Sequence, residues 1–183
     1  MRYVALLRGI NVGGKNLIGM PAVKACFEEA GFDEVSTYIQ SGNVLFETSS
    51  PKKDLAGVIE AKLEKTFKIP LVVVVRSHAQ WTSVVKNAPR GFGSDPSGHR
   101  YDVVFLKEPL TARRAVKDVP TKEGVDQLWP GRGVLYMSRL VAKLTSSRLN
   151  RVASLPVYKS MTIRNWNTTT KLLTLLDERA SAR

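Results

Sequence analysis

The chain has 183 residues, 43% hydrophobic and 24% charged, proportions of a globular protein with one medium domain or two small ones and a real core. Its one cysteine excludes an internal disulfide and fits a reducing cytosol. No apolar run approaches the ~20 residues that span a bilayer, and Arg8 interrupts the N-terminal apolar stretch too early for a secretory leader. The net charge of +12 points to anionic partners, while the low cysteine usage and the lack of a bilayer-spanning run lead us to expect a cytoplasmic protein with no membrane partner.

A short apolar strand, Tyr3–Leu7, runs into a polar loop, Arg8-Gly9-Ile10-Asn11-Val12-Gly13-Gly14-Lys15-Asn16. A helix follows from about Met20 to Ala30, with Pro21 in its first turn, Gly31 as its stop and Cys26 on its apolar side. Cys26 reads as a small buried hydrophobe, since no histidine or basic cluster adjoins it. Two short strands, Val35–Ile39 and Val44–Phe46, flank the turn Gln40-Ser41-Gly42-Asn43. A second helix spans about Lys52–Phe67, opened by Ser49, Ser50 and Pro51, with Leu55, Val58, Ile59, Leu63 and Phe67 as its buried stripe. The strand Leu71–Val75 is apolar on both faces, so its second face needs cover from the other half or from a second subunit in a homodimer. A helix over about Ala79–Asn87 closes this half. The order is β-α-β-β-α-β, the ferredoxin-like arrangement.

Proline, glycine and serine between Ala88 and Gly98 mark a linker or long loop. We therefore expect subdomains over residues 1–88 and 101–183, joined by 89–100. The second half repeats the order: strand Tyr101–Leu106, short helix Leu110–Lys117, strands Val125–Trp129 and Val134–Met137, helix Leu140–Leu149, strand Lys159–Ile163 and an extra closing helix Asn167–Arg179. The expected fold class is α+β with two ferredoxin-like subdomains.

In this topology the loop after the first strand and the turn between the second and third lie at one end of the sheet. Arg8, Asn11 and Lys15 should therefore meet Gln40, Ser41 and Asn43 there. Arg8 brings a fixed charge and a five-donor fork, the amides bring donors and acceptors, and Gly9, Gly13 and Gly14 permit close backbone approach. Gly9 to Lys15 also follows P-loop spacing. Asn16 stands where a magnesium-binding Ser or Thr belongs, and Gly19 with Pro21 disfavours a helix starting after the lysine, which argues against a nucleotide-hydrolysing P-loop.

A second candidate site is Arg164-Asn165-Trp166-Asn167, where a strand leads into the last helix. Arg164 offers charge, Asn165, Asn167 or Thr168 a cap, and Trp166 a ring to stack on a base. Residues 1–100 hold 13 basic and 9 acidic side chains, and residues 101–183 hold 15 and 7, so most of the excess sits in the second half. No acidic residue occurs between Asp126 and Asp177. His78 and His99 lie far apart without cysteine or carboxylates at ligand spacing, so neither a metal nor another cofactor is expected. His99 beside Arg100, Tyr101 and Asp102 reads as a surface histidine at the start of a strand.

Leu6-Leu7-Arg8-Gly9-Ile10-Asn11-Val12-Gly13-Gly14, Tyr38-Ile39-Gln40-Ser41-Gly42-Asn43-Val44 and Thr162-Ile163-Arg164-Asn165-Trp166-Asn167-Thr168 together resemble the bacterial family catalogued as "domain of unknown function 1697". Only Ile163 departs, standing where a threonine is expected. The resemblance covers essentially the whole chain. It implies a small cytosolic α+β protein of two ferredoxin-related subdomains, and no established activity, substrate or cofactor.

Three functional expectations follow. The first is a binding module for a phosphate-bearing or nucleic-acid ligand, drawn by the basic second half. The second is a metal-independent enzyme on a small anionic substrate, with Arg8 orienting the anion and Asn11, Gln40 and Asn43 polarising it. The third is a protein-interaction or structural role, with the polar motifs only holding loops together. An RNA-recognition sheet of the usual kind is disfavoured in the first half, because Val4, Leu6 and Leu7 stand where such a module exposes aromatics.

Overall fold

Residues Tyr3 to Leu7 become an inner strand because every one of them is buried, Val4, Ala5 and Leu6 completely. The computed structural model describes residues 1–11, 17–49 and 54–181. The chain divides into two units, Met1–Trp81 with Leu172–Arg183, and Thr82–Lys171.

The first unit contains β1 (Arg2–Arg8), α1 (Met20–Glu29), β2 (Asp33–Tyr38), β3 (Asn43–Glu47), α2 (Leu55–Phe67) and β4 (Val72–Ser77). The strands form one antiparallel sheet in the order β2-β3-β1-β4. Alternation along β1 sends Tyr3, Ala5 and Leu7 to one face, where they join Phe46 of β3, Phe27 of α1 and Ile59 and Leu63 of α2. Phe46 organises this core: its ring lies 5.5 Å from Tyr3, 5.5 Å from Phe27 and 4.7 Å from Phe32. Cys26 is buried here, as its place on the apolar side of α1 requires. Val4, Leu6, Leu45 and Val74, on the opposite face, are also buried.

Local signals set the helix ends. Pro21 occupies the first turn of α1, and Gly31 follows its cap at φ 84°. The cap of α2 is Asp54, whose Oδ1 accepts the Gly57 N–H at 2.9 Å. Ser50, Pro51 and Lys52, expected at the start of this helix, lie outside the described residues.

The second unit repeats the order with β5 (His99–Leu106), α4 (Ala112–Asp118), β6 (Asp126–Gly131), β7 (Val134–Leu140) and β8 (Met161–Asn165), arranged β6-β7-β5-β8. The closing helix α5 (Trp166–Ser181) starts directly after β8. Helix α3 (His78–Lys86) follows β4 in the chain.

The expected helix at Leu140–Leu149 is absent. Three consecutive 3-10 segments take its place: Val141–Ser146, Arg148–Ser154 and Pro156–Ser160. Their side chains compete with an α-helical ladder. Ser146 Oγ donates to Lys143 O at 2.9 Å, Ser154 Oγ to Arg151 O at 2.7 Å and Asn150 Nδ2 to Leu144 O at 2.6 Å. A buried carboxylate then fixes the bend between the first two segments. Asp126 accepts Ser147 Oγ at 2.5 Å on Oδ1, and Arg148 N and Lys122 N at 2.9 Å on Oδ2. Leu149, Val152 and Met161 complete a core with Val104, Leu135 and Met137.

Tyr136 of β7 is buried, and its hydroxyl donates to Val84 O at 2.7 Å. Burial pushes its phenol up to about 12.

Two outcomes follow. Asp126→Ala, which leaves three donors without their acceptor, should lower unfolding free energy in urea titration by about 3 kcal/mol, and Asp126→Asn should cost less. Tyr136 has a folded pKa above the ordinary value of about 10, so the stability it links to protonation is full below about pH 10. That contribution should disappear as pH rises through about 12, and Tyr136→Phe should remove this part of the alkaline fall.

Candidate functional site

The polar end of the first sheet forms as the topology demands. Leu6 pairs with Asn43 in the ladder, and Leu7 N–H donates to Gly42 O at 2.8 Å, which brings the end of β1 against the β2–β3 turn. Arg8, half-buried, ends β1 opposite Val72. Asn11 sits at φ 53° and ties the loop together. Its Nδ2 donates to Ile18 O at 2.8 Å and Gln40 O at 3.0 Å, and its Oδ1 accepts Ile18 N at 2.8 Å. Asn43 is fully buried, and its Nδ2 donates to Tyr38 O at 2.9 Å and Ser41 Oγ at 3.1 Å. Gln40 is exposed and Ser41 half-buried. Lys15, with Gly13 and Gly14, lies outside the described residues.

These contacts make Asn11 and Asn43 fasteners of loop and turn. Gly42 is part of the same fastening. It stands at φ 76°, and a Cβ there would come within 2.9 Å of both Leu7 Cβ and Ile10 Cδ1. Buried Ile10 fills the space under the turn.

The second motif builds a different environment. Asn165 ends β8 and caps α5, its Oδ1 accepting Thr168 N–H at 2.7 Å. The next residue, Trp166, sets its indole over Gly93: a Cβ on Gly93 would fall 2.2 Å from Trp166 Nε1. Phe92 meets the same indole edge-on at 5.0 Å, and also meets Tyr101, Trp129 and Tyr136 at 4.9, 6.0 and 5.4 Å. Arg164 sits one residue earlier and therefore on the other face of β8. It is 8% exposed, donates from Nη1 to Thr162 Oγ1 at 3.0 Å and Ile163 O at 2.8 Å, and burial lowers its pKa to about 10.

Asn165, Trp166 and Asn167 line a cleft of about 330 Å³ in the second unit, joined by His99, Arg100 and Tyr101 from the start of β5. Arg139 of β7 and Asp102 also reach it. Arg100 and Arg139 face each other across the ladder, a like-charge pair that a carboxylate relieves. Arg139 Nη2 binds Asp102 Oδ2 at 2.5 Å, and its Nη1 donates to Asn150 Oδ1 at 2.9 Å. Arg100 is exposed and has no ion-pair partner among the described residues. His99 Nδ1 lies 3.2 Å from Asp95 Oδ2. Asp95 accepts Gly98 N–H and Ser97 Oγ–H at 2.9 and 2.8 Å, and these bonds hold its carboxyl below the ordinary carboxylate value.

The structure thus groups Asn11, Gln40, Ser41 and Asn43 in one unit, and Asn165, Trp166 and Asn167 in the other, with Arg164 buried beside Thr162 and not among the residues that line the cleft. Sequence reasoning named Arg100 and Tyr101 only as neighbours of a surface histidine and did not single out Arg139. The signal for the first two was a run of four non-aliphatic residues, His99 to Asp102, opening an otherwise apolar strand. Arg139 carried no local signal, because only the register of β5 on β7 brings it alongside. Among the described residues no group of His, Cys, Asp and Glu is placed to hold a metal ion, and no helix is long and apolar enough to cross a membrane.

Gly42→Ala should lower the unfolding free energy by about 2 kcal/mol in urea titration, through its forced positive φ and the clash with Ile10.

Among curated proteins, none matches the chain. A similar solved structure is that of the conserved bacterial protein SP0830 from Streptococcus pneumoniae. It is 25% identical with a TM-score of 0.83, over 96% of this chain and 98% of that one. A family model described as "Protein of unknown function (DUF1697)" matches residues 1–136, which include both motifs of the first sheet's polar end. The chain belongs to the DUF1697 family.

Proposed function

We propose that the protein is a cytosolic binding module for a phosphate-bearing ligand, a nucleotide or nucleic acid, held in the cleft of the second unit. One observation carries this reading: Arg100, exposed and without an ion-pair partner among the described residues, lines the same cleft of about 330 Å³ as Trp166. Guanidinium groups bind phosphate oxygens through paired donors, and indole faces stack on bases. The volume lies at the low end of small-ligand sites, enough for a base and its phosphate rather than a large cofactor.

The two arginines have different parts. Arg139 is fixed on both sides by Asp102 and Asn150, and its charge is largely offset by the carboxylate. It shapes the wall. Arg100 retains its charge for the ligand. Asn165 is committed to capping α5, whereas Asn167 is exposed at the rim. In the first unit, Asn11 and Asn43 spend their amides on the loop and turn, and Gln40 is exposed beside them.

A metal-independent enzyme on a small anionic substrate is the second reading, favoured by Asp95 beside His99 at the cleft wall. A carboxylate next to an imidazole orients it for proton transfer.

Titration of a mononucleotide while following tryptophan fluorescence tests the first reading. Saturable quenching is expected, weakened about tenfold by Arg100→Gln, one charge-assisted phosphate contact. Binding that ignores both Arg100→Gln and Trp166→Phe sinks it. For the second reading, a panel of phosphate esters should yield product with the wild type, and none with His99→Gln although binding persists.

A further inference from the structure

We infer that the 3-10 run between β7 and β8 extends the cleft into a track for the backbone of single-stranded nucleic acid. The inference rests on the cleft reading above and goes further, naming a strand rather than a mononucleotide as ligand.

Continuity is the first ground. Arg139 lines the cleft, and its Nη1 donates at 2.9 Å to Asn150 of the second 3-10 segment. Asn150 in turn donates to Leu144 O of the first segment at 2.6 Å. Cleft wall and run are therefore joined by one chain of hydrogen bonds.

Charge is the second ground. Lys143, Arg148 and Arg151 are exposed on the run, and no acidic residue occurs from 127 to 176. The nearest carboxylate in sequence, Asp126, is 8% exposed and takes its hydrogen bonds from Ser147 Oγ, Arg148 N and Lys122 N. It holds the run without facing solvent, so it does little to screen the outward cations. A group of exposed cations of this kind concentrates polyanions.

Geometry is the third. Arg148 and Arg151 are three residues apart in one 3-10 segment, where side chains at that spacing eclipse. They stand on one side, about 6 Å apart along the axis at the 3-10 rise. Adjacent phosphates of an extended strand match such a spacing. The Arg148 guanidinium also reaches Thr121 O at 3.3 Å, which steadies it while leaving the group exposed.

A single strand is favoured over a duplex because the cleft admits a ring against Trp166, and only an unpaired base is free to enter. The base would sit in the cleft while neighbouring phosphates follow the run. No covalent step is involved.

The experiment compares the full chain with a Lys143→Gln/Arg148→Gln/Arg151→Gln variant and a Lys143→Gln/Arg151→Gln variant. The second spares the Thr121 contact in case the triple change disturbs folding. Fluorescence anisotropy measures a labelled 12-nucleotide oligothymidylate, its 12-base-pair duplex and, by tryptophan quenching, thymidine monophosphate. The wild type should prefer the single strand, with affinity falling steeply with salt. The triple variant should bind it at least about tenfold more weakly, with a log–log salt slope flatter by about 2, while its grip on the monophosphate is unchanged. Unchanged strand affinity and slope in both variants, with the monophosphate still bound, overturn the track and leave the cleft reading standing. Duplex binding as tight as single-strand binding also overturns it. Loss of monophosphate and strand binding together in the wild type overturns the cleft reading itself.

Discussion

In both units the first strand lies between the third and the fourth, and that pairing decides where everything else falls. β1 is held by β3 on one side and β4 on the other, and β5 likewise by β7 and β8. A strand with neighbours on both sides has its backbone groups satisfied by the two ladders and lies mid-sheet, where its faces are covered, so the middles of β1 and β5 are apolar. Their ends are released from that demand. Polar side chains gather there: Arg8 with Asn11 at the end of β1, and His99, Arg100 and Asp102 at the start of β5. Each candidate site is a strand end made available by the same ladder.

Carboxylates do the positioning in the second unit. Asp102 draws Arg139 out of repulsion with Arg100, and Asp126 pins the bend that replaces a helix. A buried or half-buried carboxylate that takes short, well-formed hydrogen bonds fixes geometry more than it adds net stability. Both carboxylates are spent inward. Lys143, Arg148 and Arg151 of the 3-10 run are exposed, and no acidic residue occurs from 127 to 176.

Strand and helix placement was legible because periodicity and punctuation agreed. Pro21 and Gly31 bracketed α1, the Gly42 turn separated β2 from β3, and apolar runs marked β1 and β4. The 3-10 run was not legible. Its leucines and alanine give a helical rhythm, while serines and Asn150 bond back to its carbonyls and Asp126, far away in sequence, holds Ser147 and the Arg148 N–H at the bend. The candidate sites divide in the same way. Asn165 as a cap and Trp166 as a ring were local signals. Arg164 looked equivalent to them by adjacency, yet it is buried and donates to Thr162 and Ile163 of its own strand.

From sequence alone come the family, the α+β class, the order of elements in the first unit and the meeting of the Arg8 loop with the Gln40–Asn43 turn, because these follow from hydrophobic period, turn chemistry and a resemblance carried by contiguous motifs. Only the tertiary structure decides that Asn11 and Asn43 serve the backbone, that Arg139 joins Arg100 at one cleft, and that Asp126 shapes the basic run. Those facts depend on register and on hydrogen bonds between distant residues, and the direction of a side chain across a sheet has no signature in the residues beside it.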